Sequence, residues 1–222
     1  MLSRKVEMNH ASPPNIITRL VYQKRNKQRV SVFLDDEYAF SLPDTLASTL
    51  SLGQHLSDED IAQLRNQDDR QRAMDKAFRL LARRPRSEHE IIDALHKADF
   101  APDICAHVVA RLREMSYLDD QAFAHWWVDN RNRFNPRSAR ALQQELYQKG
   151  VARTLIDEVL LEVDEQRLAH AAGKKRAYRW RHLPRAEFAQ KMLGYLQRRG
   201  FSYSIARTTC NHLWEQLISE TD

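Results

Sequence analysis

The chain has 222 residues, 42% hydrophobic and 29% charged, a balance that excludes a disordered polyelectrolyte and a membrane-embedded protein. Lys and Arg outnumber Asp and Glu by 35 to 30, for a net charge of +5, and five glycines are too few for a glycine-rich phosphate-binding fold. Two cysteines, Cys105 and Cys210, without C-x-x-C spacing predict a reducing, cytoplasmic setting and no disulfide framework. The basic start Met1–Glu7 has no apolar stretch behind it, so neither a secretory signal nor a membrane span is expected.

The first part of the chain reads as a β-containing extension, residues 1–66. Ile16–Tyr22, Arg29–Leu34 and Tyr38–Leu42 are rich in β-branched and aromatic residues and predict a small antiparallel sheet, with a turn at Asp35-Asp36. Pro43-Asp44 opens a short helix that Gly53 ends, and Ser57–Asp60 caps another beginning near Ile61. Residues 66–71 read as a polar link.

From about residue 69 onward the pattern is helical and repeats. Ser87, Leu95, Phe100, Val108 and Leu112 overlie Ser138, Leu146, Val151, Val159 and Val163 at a constant offset of 51. Leu142, Leu146, Gly150, Val151, Leu155 and Val163 overlie Met192, Leu196, Gly200, Phe201, Ile205 and Leu213 at an offset of 50. The prediction is three units of three helices each, at 67–118, 119–165 and 166–222, stacked as an elongated, curved, mainly α array. In the first unit a helix over 69–84 stops before Pro85, Ser87-x-x-Glu90 forms a capping box, and Pro102 starts the third helix. In the second, Asp119 or Asp120 is the N-cap, Ala122, Phe123, Trp126 and Trp127 face inward, and Gly150 suits the left-handed position after a helix. The third begins at Gln166, restarts after Pro184 and turns at Gly200.

The charge excess is local. Residues 170–222 carry 10 basic and 4 acidic side chains, concentrated in Lys174, Lys175, Arg176, Arg179, Arg181, Arg185, Lys191, Arg198 and Arg199. Arg72, Lys76, Arg79 and Arg83 form a second stripe at helical spacing, opposite an apolar face of Ala73, Met74, Ala77, Phe78 and Leu81. Two basic regions point to an anionic or nucleic-acid-bearing partner. Motifs of catalysis are missing: no GxGxxG, no GxxxxGK[ST], no HExxH and no recognisable nucleophile setting. Cys105-Ala106-His107 is a lone C-x-H and reads as structural; Trp126 and Trp127 read as core, and the acidic pairs Asp119-Asp120 and Glu88/Glu90 as helix caps. No enzyme, metal or cofactor is expected.

Four segments resemble one known family. Arg84-Pro85-Arg86-Ser87 with Glu90-Ile91, Tyr117-Leu118-Asp119-Asp120 with Phe123-Ala124, Glu145–Val151 and Arg198-Arg199-Gly200-Phe201-Ser202 are similar, in order and spacing, to motifs of the RecX family of recombination regulators. The likeness covers residues 70–218, with a weaker match to the sheet-forming extension. Asp99 and Asn135 stand where glycine or Gly-Pro is usual, and both are residues that tolerate positive φ. The resemblance implies a cytoplasmic, non-catalytic monomer that binds RecA, lies in the groove of its filament on single-stranded DNA, and restrains ATP hydrolysis, strand exchange and the SOS-inducing coprotease function. Charge and position nominate Arg79, Arg83, Arg84, Arg86, Arg131, Arg133, Arg137, Lys174, Lys175, Arg176, Arg198 and Arg199 as RecA or DNA contacts. The rival readings are a RecA-independent nucleic-acid-binding protein of helix-turn-helix type, a protein-only scaffold, and an enzyme with an unfamiliar site.

Overall fold

The computed structural model describes residues 15–219; the N-terminal segment Met1–Glu7 lies outside them. Three strands come first, β1 (Ile17–Tyr22), β2 (Arg29–Leu34) and β3 (Glu37–Pro43), in an antiparallel sheet of order β1-β2-β3. Alternation puts Val30, Val32 and Leu34 of β2 on one face, where they are buried with Ile17, Phe40 and Leu42. The β2–β3 hairpin closes on Asp35 (φ 48°) and Asp36 (φ 68°), a pair of left-handed residues whose twist suits a tight hairpin. A short helix, α1 (Asp44–Ala47), follows, with Ala47 and Leu56 also in this core.

Nine helices follow among the described residues: α2 (Asp58–Leu81), α3 (Glu88–His96), α4 (Pro102–Glu114), α5 (Asp120–Phe134), α6 (Ala139–Gln148), α7 (Arg153–Leu160), α8 (Glu165–Trp180), α9 (Arg185–Arg198) and α10 (Tyr203–Ser219). Helix α2 corrects the expected polar link, because residues 66–71 continue it without a break. Asp68, in that stretch, is buried and takes two 2.8 Å hydrogen bonds from the Arg29 guanidinium, so its polarity anchors the helix to the sheet. The helix starts at Asp58, earlier than Ile61, because Ser57 and Asp60 cap it reciprocally: the Ser57 N–H donates to Asp60 Oδ2 (2.9 Å) and the Asp60 N–H to Ser57 Oγ (3.1 Å).

The chain divides into two compact units, one through Lys76 and the other from Ala77 onward. In the second unit α5–α7 gather around one core and α8–α10 around another. The middle triplet buries Phe123, Ala124, Val128, Leu142, Leu146, Ile156 and Val159; the last buries Leu168, Ala169, Phe188, Met192, Leu196, Ala206 and Leu213. Ala122 is exposed, contrary to expectation, and Ala124 with Val128 completes the stripe from Phe123. Trp126 and Trp127 pack on this core half-buried, and the Trp127 indole N–H donates to Glu145 Oε2 at 2.9 Å.

The triplets are joined by a repeated device at the N-terminus of each middle helix. Ser87 caps α3 and Ser138 caps α6, each Oγ accepting the N–H three residues on, from Glu90 and Ala141 respectively, at 3.2 Å. That leaves the first N–H of each helix, and the next triplet supplies its acceptor. Asp120, the first residue of α5, takes the Glu88 N–H at 2.9 Å; Glu165, the first of α8, takes the Ala139 N–H at 2.7 Å. The turn after the next middle helix closes the joint: Ser87 Oγ donates to the Lys149 carbonyl (2.6 Å), and the Ser138 N–H to the Arg199 carbonyl (3.2 Å). Gly150 (φ 76°) and Gly200 (φ 93°) sit at those turns, where a Cβ would collide with His89 and with Ser138 Oγ.

Two expected details differ. The Ser87-x-x-Glu90 box is only half formed, since the Glu90 carboxylate holds Arg84 and Lys149 instead of returning to the Ser87 N–H. Asp99 does adopt a positive φ (60°), but Asn135 lies at φ −155° and contributes its side chain, whose Oδ1 accepts from Arg199 Nη1.

Candidate nucleic-acid interface

Beside the second joint the surface opens into a groove of about 690 Å³. One wall is the end of α5 and the turn after it, Asn132–Phe134 with Pro136; the other is α8, through Lys175, Arg176, Tyr178 and Arg179, with Tyr195 and Arg199 of α9 at the back. Helical spacing explains the wall on α8. Ala171, Lys175 and Tyr178 lie at i, i+4 and i+7, as do Ala172, Arg176 and Arg179, so small residues floor the groove and cations rim it. The inner face of α8 is Leu168, Ala169, Ala172, Gly173 and Ala177, small enough for close packing; a Cβ at Gly173 would strike Leu213.

None of the groove's lining residues is acidic. Arg199 is its clamp: the guanidinium donates to Asn135 Oδ1 and, at 3.0 Å, to the Pro136 carbonyl, while lying 4.9 Å from the Tyr195 ring centre. Arg176 approaches the same ring at 5.3 Å. Arg133, Lys175 and Arg179 are exposed and make no ion pair among the described residues. Two exposed aromatics flank them, Phe134 (71% accessible) and Tyr178 (62%), with Arg133 5.3 Å from the first ring and Arg181 4.0 Å from the second. Asn132 Oδ1 is buried there without a hydrogen-bond partner among the described residues.

The twelve nominated contact residues separate into three kinds. Arg79, Arg83, Arg133, Lys174, Lys175 and Arg198 are exposed. Arg84, Arg131, Arg137 and Arg199 are held internally: Arg84 on Glu90 (2.8 Å), Arg131 on Glu145 (2.7 Å), Arg137 with Nε 3.2 Å from the same carboxylate, and Arg199 as the clamp. Arg86 and Arg176 are half-buried; burial and the neighbouring Arg84 guanidinium lower the Arg86 pKa, and its Nε has no hydrogen-bond partner among the described residues. The groove brings together Arg133, Lys175, Arg176 and Arg199. Its remaining cation Arg179 and its aromatic members Phe134, Tyr178 and Tyr195 were not among those twelve. Arg179 stood in the basic run, and Phe134 and Tyr178 each lie one residue from a cation, which is the signal that could have found them.

The first joint has the opposite charge economy. Burial alone would raise the Glu90 carboxyl, but hydrogen bonds and charge from Arg84 and Lys149 outweigh it and hold its pKa at about 2. Glu88 pairs with Arg113, and burial pushes the Asp120 carboxyl up despite the Glu88 N–H it accepts. Elsewhere Cys105 is buried, its thiol donating to the Phe100 carbonyl at 3.7 Å and its pKa raised by burial, while His107 faces outward. Among the described residues no three His, Cys, Asp or Glu side chains group as a metal site, and no helix is long and apolar enough to cross a membrane.

Comparison with known proteins matches this architecture piece by piece. The RecX N-terminal domain model matches residues 15–55, and the first, second and third RecX three-helix domain models match 73–112, 119–160 and 163–209. Regulatory protein RecX of Lactobacillus johnsonii is 34% identical over 210 residues, covering 89% of this chain and 74% of the relative; that of Bacillus subtilis is 34% identical over 211 residues, covering 93% and 80%. This chain belongs to the RecX family of regulatory proteins. A crystal structure of a regulatory protein RecX superposes with a TM-score of 0.62 at 25% identity, over 88% of this chain and 98% of that one. RecX from Lactobacillus salivarius shares the fold at a TM-score of 0.57, over 66% and 97%. In this RecX-family chain the four motifs that carried the resemblance all lie at joints. Ser87 and Glu90 open α3, Asp119 and Asp120 open α5, and Lys149-Gly150 and Arg199-Gly200 are the turns that meet Ser87 and Ser138.

Proposed function

We propose that this chain binds RecA and the RecA filament on single-stranded DNA, and restrains the filament's ATPase, strand exchange and coprotease activities by occupancy, with no catalysis of its own. Family membership supports the partner class, and the observation that carries the reading to this chain is the acid-free groove of Arg133, Lys175, Arg176, Arg179 and Arg199. Cations without internal acid partners are available to the phosphates or carboxylates of a polymer. Three triplets in tandem offer several such contacts along one ligand, so weak individual contacts add through effective concentration.

The test is the DNA-dependent ATPase of RecA titrated with this chain. A fall at substoichiometric amounts is expected; an unchanged ATPase at a one-to-one ratio, with sequence-preferring binding of duplex DNA, replaces the filament reading with a helix-turn-helix one. Charge reversal at Lys174 and Lys175, both exposed, is expected to weaken filament binding and flatten its salt dependence while leaving thermal stability within about 0.5 kcal/mol.

A further inference from the structure

We infer that the groove between the end of α5 and α8 is a single-stranded nucleic-acid site in its own right, with Lys175, Arg179 and Arg133 on backbone phosphates and Phe134 and Tyr178 stacking on bases. It rests on the nucleic-acid-facing side of the reading above, and it names the site and the ligand form.

Three observations converge. First, the cations rim one cavity of about 690 Å³ that contains no carboxylate, so a bound polyanion meets no internal competitor. Second, Phe134 and Tyr178 are 71% and 62% accessible and stand at the edges of that cavity, one on each wall. Neither ring is needed to fill the neighbouring cores, whose members are Phe123, Leu142, Phe188 and Met192 among others. Third, Asn132 lines the same wall, and its Oδ1, buried from solvent, has no donor among the described residues.

The aromatics decide the ligand form. In a duplex the base faces are stacked on each other, so an exposed ring gains nothing from them; in a single strand every base offers a face. An acidic polypeptide would use the cations and leave both rings idle. Charge alone would therefore fit either polyanion, and charge with flanking rings fits an unpaired strand. The clamp holds this geometry before any ligand arrives, since Arg199 joins α9 to the α5–α6 turn through Asn135 and the Pro136 carbonyl.

The experiment uses the full chain and no RecA, so its failure is separable from failure of the filament reading. Fluorescence anisotropy is followed with a labelled thymidine oligonucleotide and with a hairpin duplex, with polyglutamate as competitor. Phe134→Ala with Tyr178→Ala is expected to weaken the single strand about tenfold or more, with its salt slope unchanged and duplex binding altered less than about twofold. Lys175→Gln with Arg179→Gln is expected to lower the single-strand slope of log K against log salt by about 1.4, or about 0.7 for each phosphate contact removed. Thermal melting confirms that each variant folds, and Arg133→Gln provides an independent charge variant. Unaltered single-strand binding in the aromatic variant overturns the inference, as does equal loss of single strand and duplex. Competition by polyglutamate that vanishes with the charge variant, while oligonucleotide binding persists, overturns it in favour of an acidic protein partner.

Discussion

The two joints between triplets are built alike in backbone and unlike in charge. At both, a serine caps the middle helix, a carboxylate from the next triplet takes its first N–H, and a turn glycine abuts it. At the first, Glu90 gathers Arg84 and Lys149 into an internal ion cluster. The residue 51 positions on from Glu90 is Ala141, and the counterpart of Lys149 is Arg199, 50 positions on. Lacking an acid there, Arg199 turns to Asn135 and the Pro136 carbonyl, and the cations around it remain without ion pairs among the described residues. The second joint keeps the turn cation of the first without its carboxylate, and α8 adds Lys175, Arg176 and Arg179 beside it.

That contrast can be broken from either side. The largest effect is expected for Glu90→Ala, which leaves Arg84 and Lys149 unpaired at a half-buried joint; a loss of about 3 kcal/mol in urea unfolding checks it, with oligonucleotide binding preserved. Gly150→Ala and Gly200→Ala should each cost about 2 kcal/mol, because a positive φ and a collision with the preceding triplet coincide there. Gly53→Ala, with a positive φ (79°) but no heavy atom within 4 Å of the added Cβ, should cost about 1 kcal/mol.

Acid weakens the first joint through Glu90. The folded-state pKa of Glu90, about 2, lies below its ordinary 4.5, so its contribution is complete above pH 4.5 and disappears as the pH falls from 4.5 toward 2. About 1 kcal/mol of acid sensitivity in that window should be absent from Glu90→Gln, measured by urea midpoints across the range. The smallest effect on stability, under about 1 kcal/mol, is expected for Ala141→Glu, which gives the second joint the missing acid; its signature is a several-fold drop in oligonucleotide affinity.

Much of this was legible in the chain. The fifty-residue spacing of Ser87, Ser138, Gly150 and Gly200 marked the joints, because capping and positive φ tolerate few residue types. The hairpin at Asp35-Asp36 and the small antiparallel sheet followed from turn chemistry and from β-branched and aromatic content. The extent of α2 was hidden, since the burial of Asp68 depends on Arg29, 39 positions earlier. The groove was only half visible for a similar reason. A basic run reveals cations but not their neighbours: Arg84, Arg131 and Arg137 turn out to be held by Glu90 and Glu145, whereas Arg179, Phe134 and Tyr178 face the opening. Which cation meets an acid is decided by how the helices pack on one another, and a basic run in the sequence carries no record of it.

The most direct measurement is the DNA-dependent ATPase of a RecA filament, titrated in parallel with the wild-type chain and with Lys175→Glu/Arg179→Glu. With the second joint as the working surface, the wild-type chain restrains hydrolysis at substoichiometric amounts and the charge-reversed chain needs at least about tenfold more. Equal potency of the two chains, at matched thermal stability, would contradict it.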